Sequence, residues 1–87
     1  MQLDAPDDAL DDFSRAIEIY DDQWQFYYGR GTAQMKLDNP EEAVLDFTKA
    51  IQLYPDYADL LWNRGLAYAA EDLYTLAITD LEDALKL

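Results

Sequence analysis

The side chains best suited to chemistry in this sequence are carboxylates, and they lack the spacing that metal binding needs. Asp7, Asp8, Asp11 and Asp12 form an acidic run near the start of the chain. A calcium loop needs alternating oxygen ligands, a central glycine and a closing glutamate. The run has helical spacing instead, which spreads its carboxylates along one face. We therefore predict a solvated helix surface here, and no metal site.

The residue types that most often perform catalysis are missing. The chain contains no histidine and no cysteine, which removes the commonest general base, the commonest transition-metal ligand and all thiol chemistry. The remaining carboxylates, such as Asp59, Glu71 and Asp72, would need a cleft with two fixed partners to act as a glycosidase pair. The sequence has no phosphate-binding glycine loop and no nucleophile elbow. We predict that the protein is not an enzyme and takes no cofactor.

The charge balance restricts the class of partner. The chain has 19 acidic and 6 basic residues, a net charge of −13. This charge repels nucleic-acid backbones and anionic membrane surfaces, and it favours a neutral or basic protein or peptide. The alternative is that the charge serves solubility alone. No apolar run approaches the length of a membrane span, and Met1–Asp4 does not resemble a secretory signal, which favours a cytoplasmic location.

The elements that carry these residues repeat along the chain. A shift of 34 residues places residues 3–6 onto 37–40, residues 12–13 onto 46–47, and residues 30–31 onto 64–65, with identical side chains at every position except Ala5, which falls on Asn39. A second shift places Ala43 onto Ala77 and Ala50 onto Ala84. Such a period is typical of stacked supersecondary units.

Each unit has the pattern of paired helices. The apolar residues of one segment recur at steps of three and four: Ala43, Val44, Phe47, Ala50, Ile51 and Tyr54. We predict that this helix begins at Pro40, with Asn39 as its cap and Glu42 completing a capping box, and that Pro55 ends it. Helices are also predicted from residues 24 to 37 and 57 to 72. Five helices joined by short turns must run antiparallel to their neighbours.

The sequence resembles the tetratricopeptide repeat family. The residues that carry the resemblance are Ala9, Phe13 and Ala16, then Gly31, Ala33, Ala43, Phe47, Ala50 and Pro55, then Gly65, Ala67, Tyr68, Ala77, Leu81 and Ala84. The resemblance implies an all-α, right-handed α-solenoid of antiparallel helix hairpins, with about two and a half repeats. These would be a partial repeat (1–23), a repeat (24–57) and a truncated repeat (58–87). It also implies a protein–protein interaction scaffold.

The same resemblance indicates where a partner would bind. In this family the first helix of each pair lines a concave groove that holds a peptide or a helix. Carried over by position, the groove residues are Gln25, Tyr28, Thr32, Met35, Asp59, Trp62, Asn63 and Leu66. Tyrosine and tryptophan are effective anchors because they offer large areas with few rotors. The alternative for each ring is ordinary packing between repeats.

Two arginines recur with the repeat. Arg30 and Arg64 lie on first helices, and Asp12, Asp46 and Asp80 lie on second helices. We predict structural pairing between the two sets, because a charge that repeats with a scaffold usually serves the scaffold. The alternative is that the arginines bind a ligand carboxylate.

The last helix suggests a second role. It carries Leu76, Ile78, Leu81, Leu85 and Leu87, and we expect it to bury much of this surface and to leave some bare. Bare apolar patches favour association. The alternative function is therefore a structural or self-assembly segment of a longer repeat protein, forming a homo-oligomer through its terminal helices.

Overall fold

The computed structural model describes residues 5–87, and this range folds into five α-helices. They are α1 (Pro6–Ile19), α2 (Trp24–Lys36), α3 (Pro40–Leu53), α4 (Ala58–Ala70) and α5 (Tyr74–Lys86). Met1–Asp4, where no secretory signal is predicted, lie outside the described residues. The all-helical fold predicted from the repeat is confirmed.

Helix starts follow the proline and acidic signals, although the predicted capping box is wrong. Pro6 and Pro40 open α1 and α3, and acidic residues fill both first turns, where they favour the positive end of the helix dipole. Asn39 occupies the cap position but makes no side-chain cap bond. Its amide donates to Gln34 Oε1 at 3.1 Å, and its backbone N–H donates to the Gln34 carbonyl. That N–H is the donor that Glu42 would need for a capping box.

The turns after α2 and α4 have the same backbone geometry. In each, the N–H two residues beyond the helix cap returns to a carbonyl of the last turn, from Asn39 to Gln34 and from Leu73 to Tyr68, at 2.8 and 2.9 Å. The residues between are Asp38 and Asp72, with φ of 61° and 62°. This is a Schellman motif with aspartate in the left-handed position that glycine usually takes. It turns the chain back within three residues.

Consecutive helices pack on one another along the whole described chain. One buried cluster contains Tyr27, Ala50 and Leu60, and the other contains Ala43, Phe47 and Ala67. Small residues make the close contacts possible. A Cβ on Gly31 would lie 2.7 Å from Phe47 Cε1, and one on Gly65 would lie 3.0 Å from Leu81 Cδ2.

The last helix buries less of its apolar surface than the sequence suggested. Only Ala77, Asp80 and Ala84 of α5 are buried. Leu76, Ile78, Leu85 and Leu87 are exposed, Leu85 by 79%. The physical reason is position: α5 packs on α4, with Leu81 against Gly65, and no further helix in the described chain covers its other side.

No helix within residues 5–87 is both long and apolar enough to cross a bilayer.

Candidate functional site

Two arginine–aspartate pairs hold the helix hairpins together. Arg30 donates from Nε and Nη2 to the two carboxylate oxygens of Asp46, at 2.9 and 2.7 Å. Arg64 makes the same fork on Asp80, at 2.7 and 2.8 Å. Both aspartates are buried. Bidentate geometry of this kind is the strong form of a charge-assisted hydrogen bond.

Each arginine also reaches the preceding hairpin. Arg30 Nη1 donates to Ser14 Oγ at 3.4 Å, and Arg64 Nη1 donates to Thr48 Oγ1 at 3.3 Å. Each partner lies sixteen residues before its arginine, and each aspartate lies sixteen residues after it. We call this set, Ser14–Arg30–Asp46 and Thr48–Arg64–Asp80, the arginine ladder. Every rung joins three consecutive helices.

The ladder leaves little of the guanidinium for a ligand. The Asp46 hydrogen bond raises the pKa of Arg30, and the Asp80 hydrogen bond raises the pKa of Arg64, while burial acts in the opposite direction. Each guanidinium also lies over an aromatic ring: Arg30 is 5.9 Å from the centroid of Tyr27, and Arg64 is 5.7 Å from that of Tyr68. The geometry is that of a structural pairing.

Asp12 stands apart from the other two aspartates. It is exposed on α1, and no arginine of the described residues pairs with it. The structure therefore brings together four of the five residues for which pairing was predicted.

Two of the groove candidates lie in the packing between repeats. Tyr28 and Met35 pack against the cluster of Ala43, Phe47 and Ala67, and the Tyr28 ring lies 6.1 Å from that of Phe47. The cluster is made by residues of α3 and α4, so α2 packs against a surface to which both helices contribute. Both side chains remain half-buried, so their outer edges still border the surface formed by α2 and α4, which we call the first-helix surface.

The candidates on α4 are the most accessible part of the first-helix surface. Trp62 and Leu66 are each 43% exposed and lie one turn apart. Asp59 is exposed and accepts a hydrogen bond from the Tyr57 hydroxyl at 2.8 Å. Asn63 donates to the Asp59 carbonyl at 2.7 Å. These local bonds fix the two polar side chains beside an apolar pair.

The candidates Gln25 and Thr32 border a different feature, a cleft between α1 and α2. Its volume is about 570 Å³. Its lining is mainly apolar and is made by Ala5, Pro6, Ala9, Phe13, Gln25, Phe26, Tyr28, Gly29, Thr32, Ala33 and Lys36. Thr32 itself donates its hydroxyl to the Tyr28 carbonyl at 2.9 Å. We call this space the first cleft.

Sequence reasoning missed the first cleft and an aromatic cluster. The sequence did contain a signal for the cleft, because Ala9, Phe13 and Ala33 lie 34 residues before the buried Ala43, Phe47 and Ala67. The sequence contained no such signal for the cluster. Trp24 stacks on Tyr54 with centroids 5.0 Å apart and planes 10° apart, and Tyr57 lies edge-on to Trp24 at 5.4 Å. Tyr54 and Tyr57 lie on either side of Pro55, so these three rings follow no helical period.

The described residues contain no group of three or more acidic side chains, histidines or cysteines placed to hold a metal ion.

Comparisons with known proteins identify the repeat. Two models described as tetratricopeptide repeat match the chain, one over residues 24–57 and the other over residues 58–87. Two solved structures, of MamA protein and of MamA, each align with 97% of this chain at 25% sequence identity and a TM-score of 0.91. The chain covers 46% and 49% of those two structures, about half their length. No curated protein sequence matches it.

Proposed function

Since the chain belongs to the tetratricopeptide repeat family, whose repeats are non-catalytic protein-interaction units, we propose that it binds a peptide or a helix of a partner protein on the first-helix surface. The observation that carries the proposal is the exposed pair of Trp62 and Leu66 on α4, each with 43% of its surface in water. An exposed aromatic beside an exposed aliphatic residue, bordered by fixed polar groups, is a typical anchor for a partner.

The charge of the chain restricts the partner. Asp59 lies one turn before Trp62 and is exposed, and the chain as a whole has a net charge of −13. A segment with basic or neutral residues around an apolar anchor is attracted to this surface, whereas nucleic acid and anionic lipid are repelled. Because the attraction is largely between exposed charges, binding should weaken as salt rises.

A selected peptide provides the test. Random peptides displayed on phage are selected on the full chain, and the selected sequences are synthesised with a fluorescent label for anisotropy titrations. We expect Trp62→Ala and Leu66→Ala each to weaken binding by about tenfold or more, a loss of about 1.4 kcal/mol.

The matched controls are Tyr20→Ala, just after the end of α1, and Leu45→Ala on α3, which remove exposed apolar side chains away from the first-helix surface. Peptides that bind all four variants equally would show that the first-helix surface is not the binding site.

A second candidate is association through the last helix, and one observation favours it. Tyr74, Ile78 and Leu85 form an exposed stripe along α5. Val44 and Ile51, the counterparts of Ile78 and Leu85 on α3, pack against the two core clusters. The surface that is covered on α3 is thus exposed on α5, as expected of a structural or self-assembly segment.

Light scattering over a range of concentrations tests this second candidate. We expect a mass that rises with concentration in the wild type and stays monomeric in Ile78→Asp. Leu45→Asp, at an exposed leucine of α3, is the control. A wild-type mass that stays monomeric at every concentration would contradict association through α5.

A further inference from the structure

A second cleft lies where α1, α2 and α3 meet, and all three of these helices lie within the described residues. Its volume is about 350 Å³. The Ser14–Arg30–Asp46 rung of the arginine ladder lines it. The other lining residues are Leu10 and Asp11 of α1, Gln34 of α2, and Glu42 and Leu45 of α3. We call this space the second cleft.

The second cleft coincides with a difference between the repeats at one position of the first helix. Gln34 lies one turn after Arg30, and its counterpart Tyr68 lies one turn after Arg64. The Arg64 guanidinium is 5.7 Å from the centroid of the Tyr68 ring. Gln34 has no ring, and its amide oxygen accepts a hydrogen bond from Asn39 at 3.1 Å, in the turn after α2. The space that a ring fills beside Arg64 therefore remains open beside Arg30.

The Arg30 guanidinium is suited to stacking in this cleft, because its hydrogen bonds are already made. Its nitrogens donate to Asp46 and Ser14. The ring that lies near it belongs to Tyr27, at 5.9 Å. Tyr27 precedes the arginine by one turn, whereas Gln34 follows it by one turn. A guanidinium that is fixed through its N–H groups still offers a flat face to an aromatic ring.

The rim of the second cleft is acidic. Asp11 of α1 and Glu42 of α3 are both exposed and line the cleft from two sides. Their counterparts one repeat later are leucines, Leu45 and Leu76, so the charge is particular to this cleft. Among the described residues that line it, Arg30 is the one cation, and the ladder already pairs it. The lining therefore attracts a positively charged group.

We propose that the second cleft binds a segment of a partner protein in which an aromatic residue stands next to a lysine or an arginine. The aromatic ring lies against the Arg30 guanidinium, as the Tyr68 ring lies against Arg64. The basic side chain reaches the carboxylates of Asp11 and Glu42. Ring and charge together distinguish this occupant from a purely apolar or a purely basic segment.

The occupant is a protein segment because the apolar part of the lining extends out of the cleft. Leu45 is 65% exposed, and the backbone on either side of the inserted ring can cover it. Leu10 is half-buried on the opposite side. None of the lining residues belongs to the first-helix surface, so the two sites can be tested separately.

The hexapeptide Gly-Gly-Tyr-Lys-Gly-Gly with blocked ends is the probe. It is titrated into the full chain labelled with ¹⁵N, and the arginine Nε–H signals are followed. Both Nε–H groups are hydrogen-bonded to aspartates, which slows their exchange with water. We expect the Arg30 signal to move upfield and to saturate, because a ring shields a proton above its face. The Arg64 signal should stay, because Tyr68 already covers that guanidinium.

Two matched peptides test the two parts of the occupant. One replaces the tyrosine by leucine, and the other replaces the lysine by glutamate. We expect each to bind about fivefold more weakly than the probe. In the double variant Asp11→Asn/Glu42→Gln the preference for lysine over glutamate should shrink. Asp12→Asn/Glu41→Gln removes the same charge from positions one residue away and is the control.

Gln34→Tyr tests the site from within, because it supplies a ring from the chain itself. The new ring should lie on Arg30 as Tyr68 lies on Arg64. It should move the Arg30 Nε–H signal upfield without any peptide and weaken peptide binding by about tenfold or more. Gln52→Tyr, at an exposed glutamine of α3, is the control and should bind as the wild type does. Circular dichroism of each variant confirms that the helices are retained.

Three results would overturn the proposal. The first is no saturable shift of the Arg30 signal at millimolar peptide. The second is equal binding of the probe to the wild type and Gln34→Tyr, which would place the peptide elsewhere. The third is self-association of the chain that Gln34→Tyr abolishes, which would make a second copy the occupant. Trp62→Ala keeps the two sites distinguishable, since it should weaken binding on the first-helix surface and leave the second cleft unchanged.

Discussion

At the residue scale, the aspartates of the arginine ladder differ from the other acidic side chains in what surrounds them. The Asp46 side chain is 7% exposed and meets a guanidinium that is 26% exposed. Most of the remaining carboxylates are in open solvent. Exposed ion pairs contribute little to stability, whereas removing one partner of a desolvated pair leaves the other uncompensated.

Removal of the Asp46 charge should therefore destabilise the fold. We expect Asp46→Asn to lower the free energy of unfolding by about 1.5–3 kcal/mol, because two charge-assisted hydrogen bonds are weakened. Asp12→Asn, the same change at the unpaired counterpart, should stay within about 0.5 kcal/mol of wild type. Urea unfolding followed by circular dichroism measures both. Equal effects would show that the fork contributes nothing beyond a surface charge.

Tyr27 gives the stability a dependence on alkaline pH. Its ring is buried and its hydroxyl donates to the Asp21 carbonyl at 2.8 Å. Burial, and then the nearby Asp21 carboxylate, raise the pKa of Tyr27 above its ordinary value. The folded state thus holds this proton more tightly than the unfolded state, so the stabilisation is present below about pH 10 and is lost as pH rises beyond it.

Urea unfolding at pH 8 and pH 11 checks this prediction. We expect the free energy of unfolding to fall from pH 8 to pH 11 in the wild type and to fall less in Tyr27→Phe. That variant should already be less stable at pH 8, because it lacks one hydrogen bond. Tyr20→Phe, at an exposed tyrosine, should follow the wild type. An unchanged decline in Tyr27→Phe would assign the alkaline effect to other groups.

At the element scale, the glycines decide how closely the helices approach. Gly31 and Gly29 lie two residues apart on α2 and face different phenylalanines. Phe47 is fully buried in the cluster with Ala43 and Ala67. Phe13 borders the first cleft, so its ring has open space into which it can turn.

The two glycines should therefore respond in opposite ways to alanine. Gly31→Ala gains helix propensity of up to about 1 kcal/mol but must displace Phe47, and such overpacking costs about 1–3 kcal/mol. We expect a net loss of stability. Gly29→Ala should be neutral or stabilising, because Phe13 rotates into the cleft. Thermal unfolding of the two variants is the measurement, and a destabilised Gly29→Ala would mean that Phe13 is held in place.

The elements themselves were predictable, and particular residues show why some details were not. Pro40 and the apolar period fixed α3, because both act within the helix. The predicted capping box failed, because the Schellman turn after α2 uses the Asn39 backbone N–H that Glu42 would need, and the Asn39 side chain bonds to Gln34. Tyr28 and Met35 were placed on a groove by position, but their packing against the cluster of Ala43, Phe47 and Ala67 depends on how α2 lies against α3 and α4. Neighbouring repeats set that arrangement, and helical spacing does not encode it.

At the scale of the whole molecule, burial is highest in α3, slightly lower in α2, α4 and α5, and absent from α1. Four residues of α3 are buried, whereas no residue of α1 is. Each unit of a repeat protein contacts only its neighbours, so the units at the two ends have fewer contacts than the central ones. The stack should open from its ends.

Amide hydrogen exchange tests this order. We expect the slowest exchange in α3, intermediate rates in α2 and α4, and the fastest rates in α1 and α5, because local opening requires less free energy where fewer apolar contacts are broken. Asp46→Asn should speed exchange in α2 and α3 more than in α5. Uniform rates along the described helices would indicate a single cooperative unit.

The arginine ladder also determines how the protein can change in length. Each rung reaches sixteen residues back and sixteen forward, so its register survives only if whole periods are added. A duplicate of residues 24–57 inserted after residue 57 would bring its own arginine, aspartate and threonine. The new arginine would reach Thr48 and Arg64 would reach the new threonine, so every arginine would still have a hydroxyl and an aspartate partner. An insertion of another size within a rung would separate its arginine from the serine or threonine on one side or from the aspartate on the other. Gene duplication in units of 34 codons is thus the path of growth that this geometry tolerates.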